Sequence, residues 1–441
     1  MDITNFLEST YDAHQQYDYR VLIYGNYTDI ENLERDSFVQ VLKPVLTNMD
    51  DRHKIHYTLL TPSTIKSLNK PNVKQVIYKL PTYPNLMRTH FDATEFLKVI
   101  DWRHNDYDII YSHLPEHTSQ IANVIHNSTH LMPKIIGYCH WFEVAENAPY
   151  AKTMFLNNIL GILEMEECGV NSKWLKNFVI EYAKEHFNDN VIAQLDKIIQ
   201  PHYLGVDRSE VRDVSNIIPK SVIFNHRAND YTGWNWFVKA MDDLWQKRQD
   251  FTVYTTYAKI DRPWNKQIDE PTREGYMAQM QRMQFGVACF EGYSAWSIST
   301  TDGLSMNVPY LLPKKLCYPE MVPADYPYFY KNRAEFVEKF EEMLDNPLTY
   351  NTKELSYNML WGIRIDQWFD KWDKVFTFKK MLNSKAIDNI IDIIHTRKYI
   401  SKYDLLNELG WGVQIKWSPY RNTLREHPNI KLTADGYEWK D

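Results

Sequence analysis

The chain has 441 residues, of which 44% are apolar, and its formal net charge is −7. This length suits two or three domains with cores of their own, and the negative balance argues against a chain that binds nucleic acid along its whole surface. The four cysteines form neither a Cys-x-x-Cys pair nor a cluster with histidine, which argues against structural zinc and against a disulfide framework.

The amino terminus and the hydropathy of the chain predict a soluble protein. Residues 1–10, MDITNFLEST, are acidic and polar and do not resemble a signal peptide. No apolar run approaches the roughly 20 residues that a membrane helix needs. We therefore expect a cytoplasmic protein that does not bind membranes.

Strands alternate with helices through the first half of the sequence. Short apolar runs predict buried strands, and runs with apolar residues every three or four positions predict the helices between them. The strands are predicted at 20–25, 55–60, 76–79, 107–112 and 134–139, and the helices at 34–48, 93–100 and 118–125. This alternation is typical of a doubly wound parallel sheet, which we assign to a domain over residues 1–207.

The same alternation begins again after residue 208. Strands are predicted at 221–224, 252–256, 285–290 and 310–312, with helices at 234–246, 273–283 and 301–306. These elements form a second domain over residues 208–354. Two such sheets predict an α/β fold in which two Rossmann-like domains face each other across a cleft.

Residues 355–383 carry an aromatic stripe. The residues that form it are Trp361, Trp368, Trp372 and Phe376. Their spacing predicts an amphipathic helix that packs back on the body of the protein.

Residues 384–441 have a different pattern. Helices are predicted at 386–396, 401–409 and 418–426, and strands at 429–433 and 437–440 flank the turn signal at 434–436. Three short helices followed by a hairpin is the order of a winged helix-turn-helix. Nine Lys and Arg against eight Asp and Glu give this segment a net charge of +1. We expect an appended module.

Polar residues directly follow a buried strand in the second domain. Residues 221–224 end in Asn225, His226 and Arg227. The carboxyl ends of parallel strands are where open α/β sheets bind ligands, and the planar fork of an arginine suits a phosphate. Asp302, a carboxylate expected to open a helix, suits a ribose diol. Arg227 and Asp302 together predict a nucleotide-binding site.

With these residues in view, residues 18–380 resemble the two-domain GT-B glycosyltransferases, specifically the retaining enzymes of the family-four type. Members carry a strand ending in Gly-Arg and a Lys five residues later, and both cations hold the donor diphosphate. Arg227 matches the arginine, whereas Thr232 stands at the position of the lysine. The resemblance implies donor contacts by Arg227, and Lys259 is an alternative second cation. His226 either donates a hydrogen bond to the phosphate or simply packs inside the domain.

The second family motif is a Glu, seven residues, then a Glu, followed by Ala-Met-Ala-x-Gly-x-Pro. Counting back from Pro309 places Asp302 and Gly303 at the ribose-binding end of this motif and Ser294 at the end near the sugar. Glu291, three residues before Ser294, is an acid that can compensate for the missing glutamate at position 294. The alternative for Asp302 is a helix N-cap.

The first domain resembles the family more loosely. The turn at Gly25 and Asn26 is similar to the family's first-strand loop, where backbone N–H groups face phosphate. His113 and His140 end two predicted strands, and the resemblance places His140 beside the donor sugar and His113 on the acceptor side. Cys168–Lys173 and Leu204–Asp207 resemble further strand ends of the family. The alternative for either histidine is that its ring forms hydrogen bonds with neighbouring residues and has no part in the site.

The resemblance implies a reaction in which a nucleoside diphosphate sugar, most simply a UDP-sugar, is the donor substrate and no cofactor is needed. Arg227 neutralises the leaving diphosphate, and His140 with Glu291 or Ser294 surrounds the oxocarbenium-like sugar. Configuration is retained. No Asp-x-Asp motif lies at the end of a predicted strand, so we predict that no metal is required.

The predicted winged helix favours DNA as the acceptor. The residues expected to contact it are Lys416, Arg421, Arg425 and Lys431. Retaining GT-B enzymes that glycosylate hydroxylated pyrimidines are known in phages, and the Tyr- and Asn-rich style of the chain is similar to proteins of T4-like phages. We expect a monomer in the host cytoplasm. The alternatives are a glycan, lipid-linked or protein acceptor, or a non-catalytic DNA-binding protein with a degenerate transferase fold.

Overall fold

The structure, a computed structural model, describes sixteen stretches of the chain. They are residues 17, 19–27, 31–48, 54–79, 88, 90–100, 107–129, 133–142, 151–207, 212–256, 259–270, 272–346, 357–376, 384–409, 423–433 and 436–440. The chain divides into two compact units. The first contains residues 1–169, 187–200 and 368–441, and the second contains residues 170–186 and 201–367.

The first unit contains a seven-stranded sheet in the order β3-β2-β1-β4-β5-β6-β7. Its strands are β1 (Tyr19–Tyr24), β2 (Ile55–Thr61), β3 (Val73–Ile77), β4 (Ile109–Ser112), β5 (Lys134–Cys139), β6 (Glu167–Val170) and β7 (Ile199–Pro201). The pairs from β3 through β5 are parallel. Strands β1, β4 and β5 are buried almost throughout, as the continuous apolar runs of a parallel sheet predict.

The helices of this part of the chain lie between the strands. They are α1 (Ser37–Asn48), α2 (Ala93–Val99), α3 (Pro115–Thr129), α4 (Ala151–Leu163), α5 (Lys173–Ala183) and α6 (Asp189–Ile198). Helix α5 belongs to the second unit. There the carboxylate of Glu320 accepts hydrogen bonds from the backbone N–H groups of Lys173 and Trp174, at 2.7 and 2.6 Å.

The second unit contains a six-stranded sheet in the order β10-β9-β8-β11-β12-β13, with every pair parallel. Its strands are β8 (Ile218–Phe224), β9 (Thr252–Thr255), β10 (Asn265–Gln267), β11 (Met283–Val287), β12 (Tyr310–Pro313) and β13 (Phe329–Tyr330). Its further helices are α7 (Trp234–Trp245), α8 (Arg273–Gln281), α9 (Ile298–Ser305) and α10 (Arg333–Asp345). The two predicted parallel α/β sheets are thus confirmed.

Successive residues of β8 enter two different cores. Val222 and Phe224 belong to one apolar cluster with Phe237 of α7. Ile223 belongs to the other cluster with Leu304 of α9. Because side chains alternate along a strand, both faces of the sheet are covered. This arrangement leaves the carboxyl edge of the sheet as the place where polar side chains emerge.

Helix α11 (Trp361–Phe376) carries the predicted aromatic stripe. Within the first unit, the Trp368 ring stacks on Tyr138 of β5 with centroids 5.1 Å apart. The Trp372 ring meets Tyr111 of β4 edge-on at 5.7 Å. The Lys374 ammonium lies 2.5 Å from the carboxylate of Glu167, which is 1% exposed. These contacts fix the last two turns of the helix on the sheet.

A small subdomain follows helix α11. It contains α12 (Ser384–Arg397), β14 (Tyr399–Ser401), α13 (Lys402–Glu408), a helical turn at 423–426, β15 (Ile430–Leu432) and β16 (Gly436–Trp439). The strands form an antiparallel sheet in the order β14-β16-β15 around Ile394, Leu405 and Leu424. Strand β14 was not predicted, since it is only three residues long. Residues 410–422, 434 and 435 lie outside the described residues.

Candidate functional site

Strand β8 ends in the three polar residues that the sequence singled out. Asn225 and His226 are buried, whereas Arg227 is exposed. The Arg227 guanidinium forms no ion pair and no hydrogen bond with any described residue. Because β8 lies inside the sheet, with β9 on one side and β11 on the other, this cation stands at the middle of the carboxyl edge. It is available to an anion.

The turn after Arg227 is closed by Thr232. Its hydroxyl is buried and lies 2.8 Å from the backbone oxygen of Arg227 and 2.7 Å from that of Asn229. Gly233 follows with a φ of +76°, a conformation that glycine adopts at little cost. Thr232, at the position of the family's lysine, therefore holds the loop. Lys259 is exposed after β9 and has no ion pair among the described residues.

His226 packs inside the second unit. Its Nε2 lies 3.2 Å from the backbone oxygen of Val287, and its ring meets Phe224 and Phe290 edge-on. Burial lowers the pKa of His226 to about 4, although the hydrogen bond to Val287 opposes the shift. The imidazole is therefore neutral at pH 7 and adds no positive charge beside Arg227.

Asp302 does not open its helix. Helix α9 begins at Ile298, three residues before the predicted start, and Ser297 is the N-cap, whose hydroxyl accepts from the backbone N–H of Thr300. The expectation that Asp302 opens the helix was thus wrong, because Ser297 caps the helix five residues earlier and Asp302 lies inside it. The buried Asp302 carboxylate accepts from Arg273 Nη2 at 2.8 Å and Nη1 at 3.3 Å. Burial raises the pKa of Asp302, and Arg273 opposes that shift.

Glu291 and Ser294 have different surroundings on the loop after β11. Glu291 is exposed, and its two carboxylate oxygens accept from the Arg333 guanidinium at 2.8 and 2.5 Å. Hydrogen bonding by Arg333 lowers the pKa of Glu291. Ser294 is buried, with its hydroxyl 3.5 Å from the Cys317 sulfur. Of the two, only Glu291 presents an ionised group at the surface.

The positions after Asp302 are fixed by backbone requirements. A Cβ at Gly303 would overlap the ring of Tyr310, so only glycine allows this approach between α9 and β12. Asn307 has a φ of +58°, and asparagine is among the residues that tolerate this conformation best. Asn307 stands where the family motif has its glycine. The local backbone therefore restricts the residue types that both positions accept.

Asn225 connects the strand end to two helices. Its side-chain nitrogen donates to the Tyr276 hydroxyl of α8 and to the Ser299 carbonyl of α9, each at 2.8 Å. Its side-chain oxygen accepts from the Tyr310 hydroxyl at 3.2 Å. Asn225 is therefore a buried hub that fixes α8 and α9 relative to β8.

A pocket lies at the first turn of α8, and it was not predicted from the sequence. Its lining residues are Val206, Asp207, Arg273, Glu274 and Met277. Arg273 is the first residue of α8, after the N-cap Thr272. The available signal was the polar run Thr-Arg-Glu at 272–274, which starts a predicted helix near the carboxyl edge of the sheet.

The candidate residues of the first unit lie at the ends of β1, β4 and β5. Gly25 is buried, and a Cβ there would overlap the Phe38 ring; Asn26 is half-buried. His113 is buried and stacks on Tyr138 with centroids 5.2 Å apart and nearly parallel rings. Burial, together with the charge of His140, lowers the pKa of His113 to about 3. His140 is partly exposed at the end of β5.

Two of the four predicted DNA contacts lie in described parts of the subdomain. Arg425 is partly exposed on the helical turn 423–426, and Lys431 on β15 lies 3.0 Å from the carboxylate of Glu438. Lys416 and Arg421 lie outside the described residues.

Within the described ranges, no three His, Cys, Asp or Glu side chains are arranged to hold a metal ion, and no helix is long and apolar enough to cross a bilayer.

The architecture has clear counterparts among solved structures. Sucrose-phosphate synthase from Thermosynechococcus elongatus superimposes with a TM-score of 0.61, over 81% of this chain and 99% of that one, at 10% identity. Anabaena HepE in complex with UDP and glucose gives 0.57, over 80% and 98%, at 11% identity. A glycosyltransferase from Rickettsia africae gives 0.56, over 81% and 98%, at 11% identity.

The chain has the GT-B fold. No protein-family model matches the sequence, and neither does any curated protein. At 10–11% identity the likeness concerns the fold alone. Arg227 and Glu291 follow β8 and β11, which are neighbouring parallel strands of the second sheet.

Proposed function

We propose that the chain is a glycosyltransferase that takes its sugar from a nucleoside diphosphate sugar. One observation carries the proposal: Arg227 is exposed, has no partner among the described residues, and directly follows a central strand of a GT-B fold. A guanidinium in this place binds a diphosphate through paired charged hydrogen bonds. A structural neighbour, HepE, was crystallised with UDP-glucose, which supports a UDP-sugar as donor.

The side chains of the second unit supply the charge that transfer needs. Arg227 neutralises the departing diphosphate, and we assign the role of second cation to Lys259. Glu291 is the acid near the sugar in place of the buried Ser294, since its carboxylate is exposed and ionised. His140 stays the predicted contribution of the first unit. Retention and metal independence, which follow from the family resemblance, also stay proposals.

We further propose that the acceptor is a hydroxylated or hydroxymethylated pyrimidine in DNA, as in phage DNA modification. The carboxyl-terminal subdomain supports this proposal. Its described elements are a helix, a strand, a helix, a helical turn and two strands, with β14 at the edge of the sheet, and they are compatible with the winged helix that we propose. Arg425 lies on the element that reads DNA in such folds. Lys431 is already paired with Glu438.

A second candidate function is a non-catalytic DNA-binding protein. The burial of Thr232 and Ser294 favours it, because neither hydroxyl can replace the lysine and glutamate of active transferases. Calorimetry with nucleotide sugars separates the two functions. DNA binding without binding of any uridine or guanosine diphosphate sugar supports the second.

The decisive experiment is a donor and acceptor screen. The protein is incubated with plain, hydroxylated and hydroxymethylated DNA and a panel of nucleotide sugars, and the digested nucleosides are weighed by mass spectrometry. A mass increase of one sugar on a modified pyrimidine supports the proposal. Parallel arms with glycan, lipid-linked and protein acceptors test the other substrates. Transfer to one of these alone contradicts the DNA acceptor, and no transfer in any arm contradicts the enzyme.

A further inference from the structure

Asp302 is poorly placed to bind a ligand itself. Both of its carboxylate oxygens are engaged by the Arg273 guanidinium, and its side chain is only 6% exposed. The Arg273 side chain is 47% exposed. The ion pair therefore has a covered acidic side and an accessible basic side. A ligand that approaches from solvent meets Arg273 first.

The accessible side of Arg273 faces the pocket beside α8. Glu274 and Asp207 are exposed and line it together with Arg273, while Val206 and Met277 supply apolar surface. Burial lowers the pKa of Arg273, but the charges of Asp302 and Asp207 outweigh burial, and the net result is a raised pKa. The pocket thus offers two carboxylates that accept hydrogen bonds and one guanidinium that donates them.

This set of groups suits vicinal hydroxyls. A hydroxyl donates to a carboxylate and accepts from a guanidinium, and the apolar side chains can cover the C–H face of a sugar ring. A phosphate fits less well, since two carboxylates repel it. The chemistry of the pocket selects a neutral polyol.

We propose that this pocket binds the ribose diol of the donor nucleotide, with Glu274 as acceptor and Arg273 as donor. Asp302 is then a positioning residue that acts through Arg273. The inference rests on the proposed function, and it moves ribose recognition from Asp302 to Glu274. Asn225 supports it structurally, because its hydrogen bonds to Tyr276 and Ser299 tie both helices to the strand end that carries Arg227.

The first test compares UDP with 2′-deoxy-UDP by calorimetry. Wild-type protein is expected to bind UDP about 10- to 100-fold more tightly, because a site built for a hydroxyl rejects an analogue that lacks it. Glu274→Gln should lower the ratio several-fold, because the amide oxygen still accepts a hydrogen bond but has lost the charge. Glu338→Gln, a matched change at an exposed position of α10, should leave the ratio unchanged.

The second test is a double-mutant cycle on Arg273 and Asp302. If Asp302 acts through Arg273, the double variant Arg273→Gln/Asp302→Asn loses no more UDP affinity than Arg273→Gln alone does. Additive losses overturn the positioning role. Because Glu274 is exposed, Glu274→Gln folds even if the Asp302 variants do not.

The outcomes separate this inference from the proposed function. UDP binding with no preference over 2′-deoxy-UDP, or a preference that Glu274→Gln leaves intact, overturns the ribose assignment alone. If neither nucleotide binds to the wild-type protein, both proposals fail.

Discussion

The Thr232 hydroxyl lies 2.8 Å from the backbone oxygen of Arg227 and donates to it, sharing its hydrogen with the backbone oxygen of Asn229. One buried side chain thereby fixes the backbone of the residue that we propose as the phosphate ligand. The transferases that the sequence resembles carry a lysine at this position. In this chain the position holds a buried hydroxyl that constrains the backbone.

Thr232→Val should destabilise the protein by about 1 kcal/mol, because the buried hydroxyl and its hydrogen bonds to the backbone oxygens of Arg227 and Asn229 are lost. UDP affinity should fall a few-fold as the Arg227 backbone loosens. Thr232→Ser keeps the hydroxyl and is the matched control, expected to remain near wild type. Thr232→Lys should not improve binding, since the position is only 1% exposed and an ammonium there is costly to bury. Urea unfolding and calorimetry measure both effects.

Arg227→Ala should weaken UDP binding about 10- to 100-fold, the range expected for loss of hydrogen bonds to a charged group. Folding should be unchanged, because the side chain has no partner among the described residues. Arg227→Lys keeps the charge but loses the planar fork, so it should recover only part of the affinity. The comparison is made by calorimetry, with DNA binding as the control. Full turnover by Arg227→Ala would remove this residue from the site.

Gly233→Ala should destabilise the second unit by about 2–4 kcal/mol. A left-handed backbone costs an alanine about 1–2 kcal/mol, and the added Cβ would also overlap the Cys289 carbonyl oxygen. Gly292→Ala is the matched control, because a Cβ there has no atom within 4 Å. Equal urea midpoints for the two variants would contradict the constraint at Gly233.

Acid should destabilise the protein through its buried histidines. Burial lowers the pKa of His113 to about 3 and that of His117 and His226 to about 4, so these groups stay neutral in the folded state while the unfolded chain takes up protons below pH 6.5. The free energy of unfolding therefore falls as the pH falls from 6.5 towards 4, by about 1.4 kcal/mol per pH unit for each histidine.

His113→Phe removes one titrating group and keeps the stack on Tyr138. Its pH dependence between 6 and 4 should be shallower than that of wild type by about 1.4 kcal/mol per pH unit. His186→Gln changes an exposed histidine and should leave the slope unaltered. Urea unfolding at several pH values provides the measurement, and an unchanged slope in His113→Phe is the contrary result.

Chelation should leave sugar transfer unaffected, because Arg227 and Lys259 supply the charge that a divalent ion supplies elsewhere. Initial rates are compared before and after exhaustive treatment with EDTA, and again after addition of magnesium or manganese. A rate that is lost on chelation and restored by either ion refutes metal independence.

The fold could be predicted from the sequence where its signals are local. Apolar runs located β8 and β12, and the polar residues after β8 located Arg227 at the edge of the sheet. Strand β10 was missed because its sequence, Asn-Lys-Gln, has no apolar pattern and pairs only with its neighbour. Such strands are specified by the sheet and not by their own residues.

The site was predicted only in part, because its decisive contacts join distant positions. The pairing of Arg273 with Asp302 spans 29 residues, and no spacing rule indicates it. The motif alignment singled out Asp302 along the chain but could not show that its carboxylate is covered by Arg273. The burial of Ser294 and Thr232 could not be predicted either. Serine and threonine occur both at the surface and in buried turns, so the residue type does not indicate whether the hydroxyl contacts solvent or a carbonyl group.

The contacts of Trp368, Trp372 and Lys374 with the first sheet should make local unfolding at the end of helix α11 slow. Detaching its last two turns would expose two indole rings and take the ammonium away from a carboxylate that is 1% exposed. These turns should therefore open only when the sheet itself opens, so that their amide hydrogens exchange as slowly as those of β4 and β5.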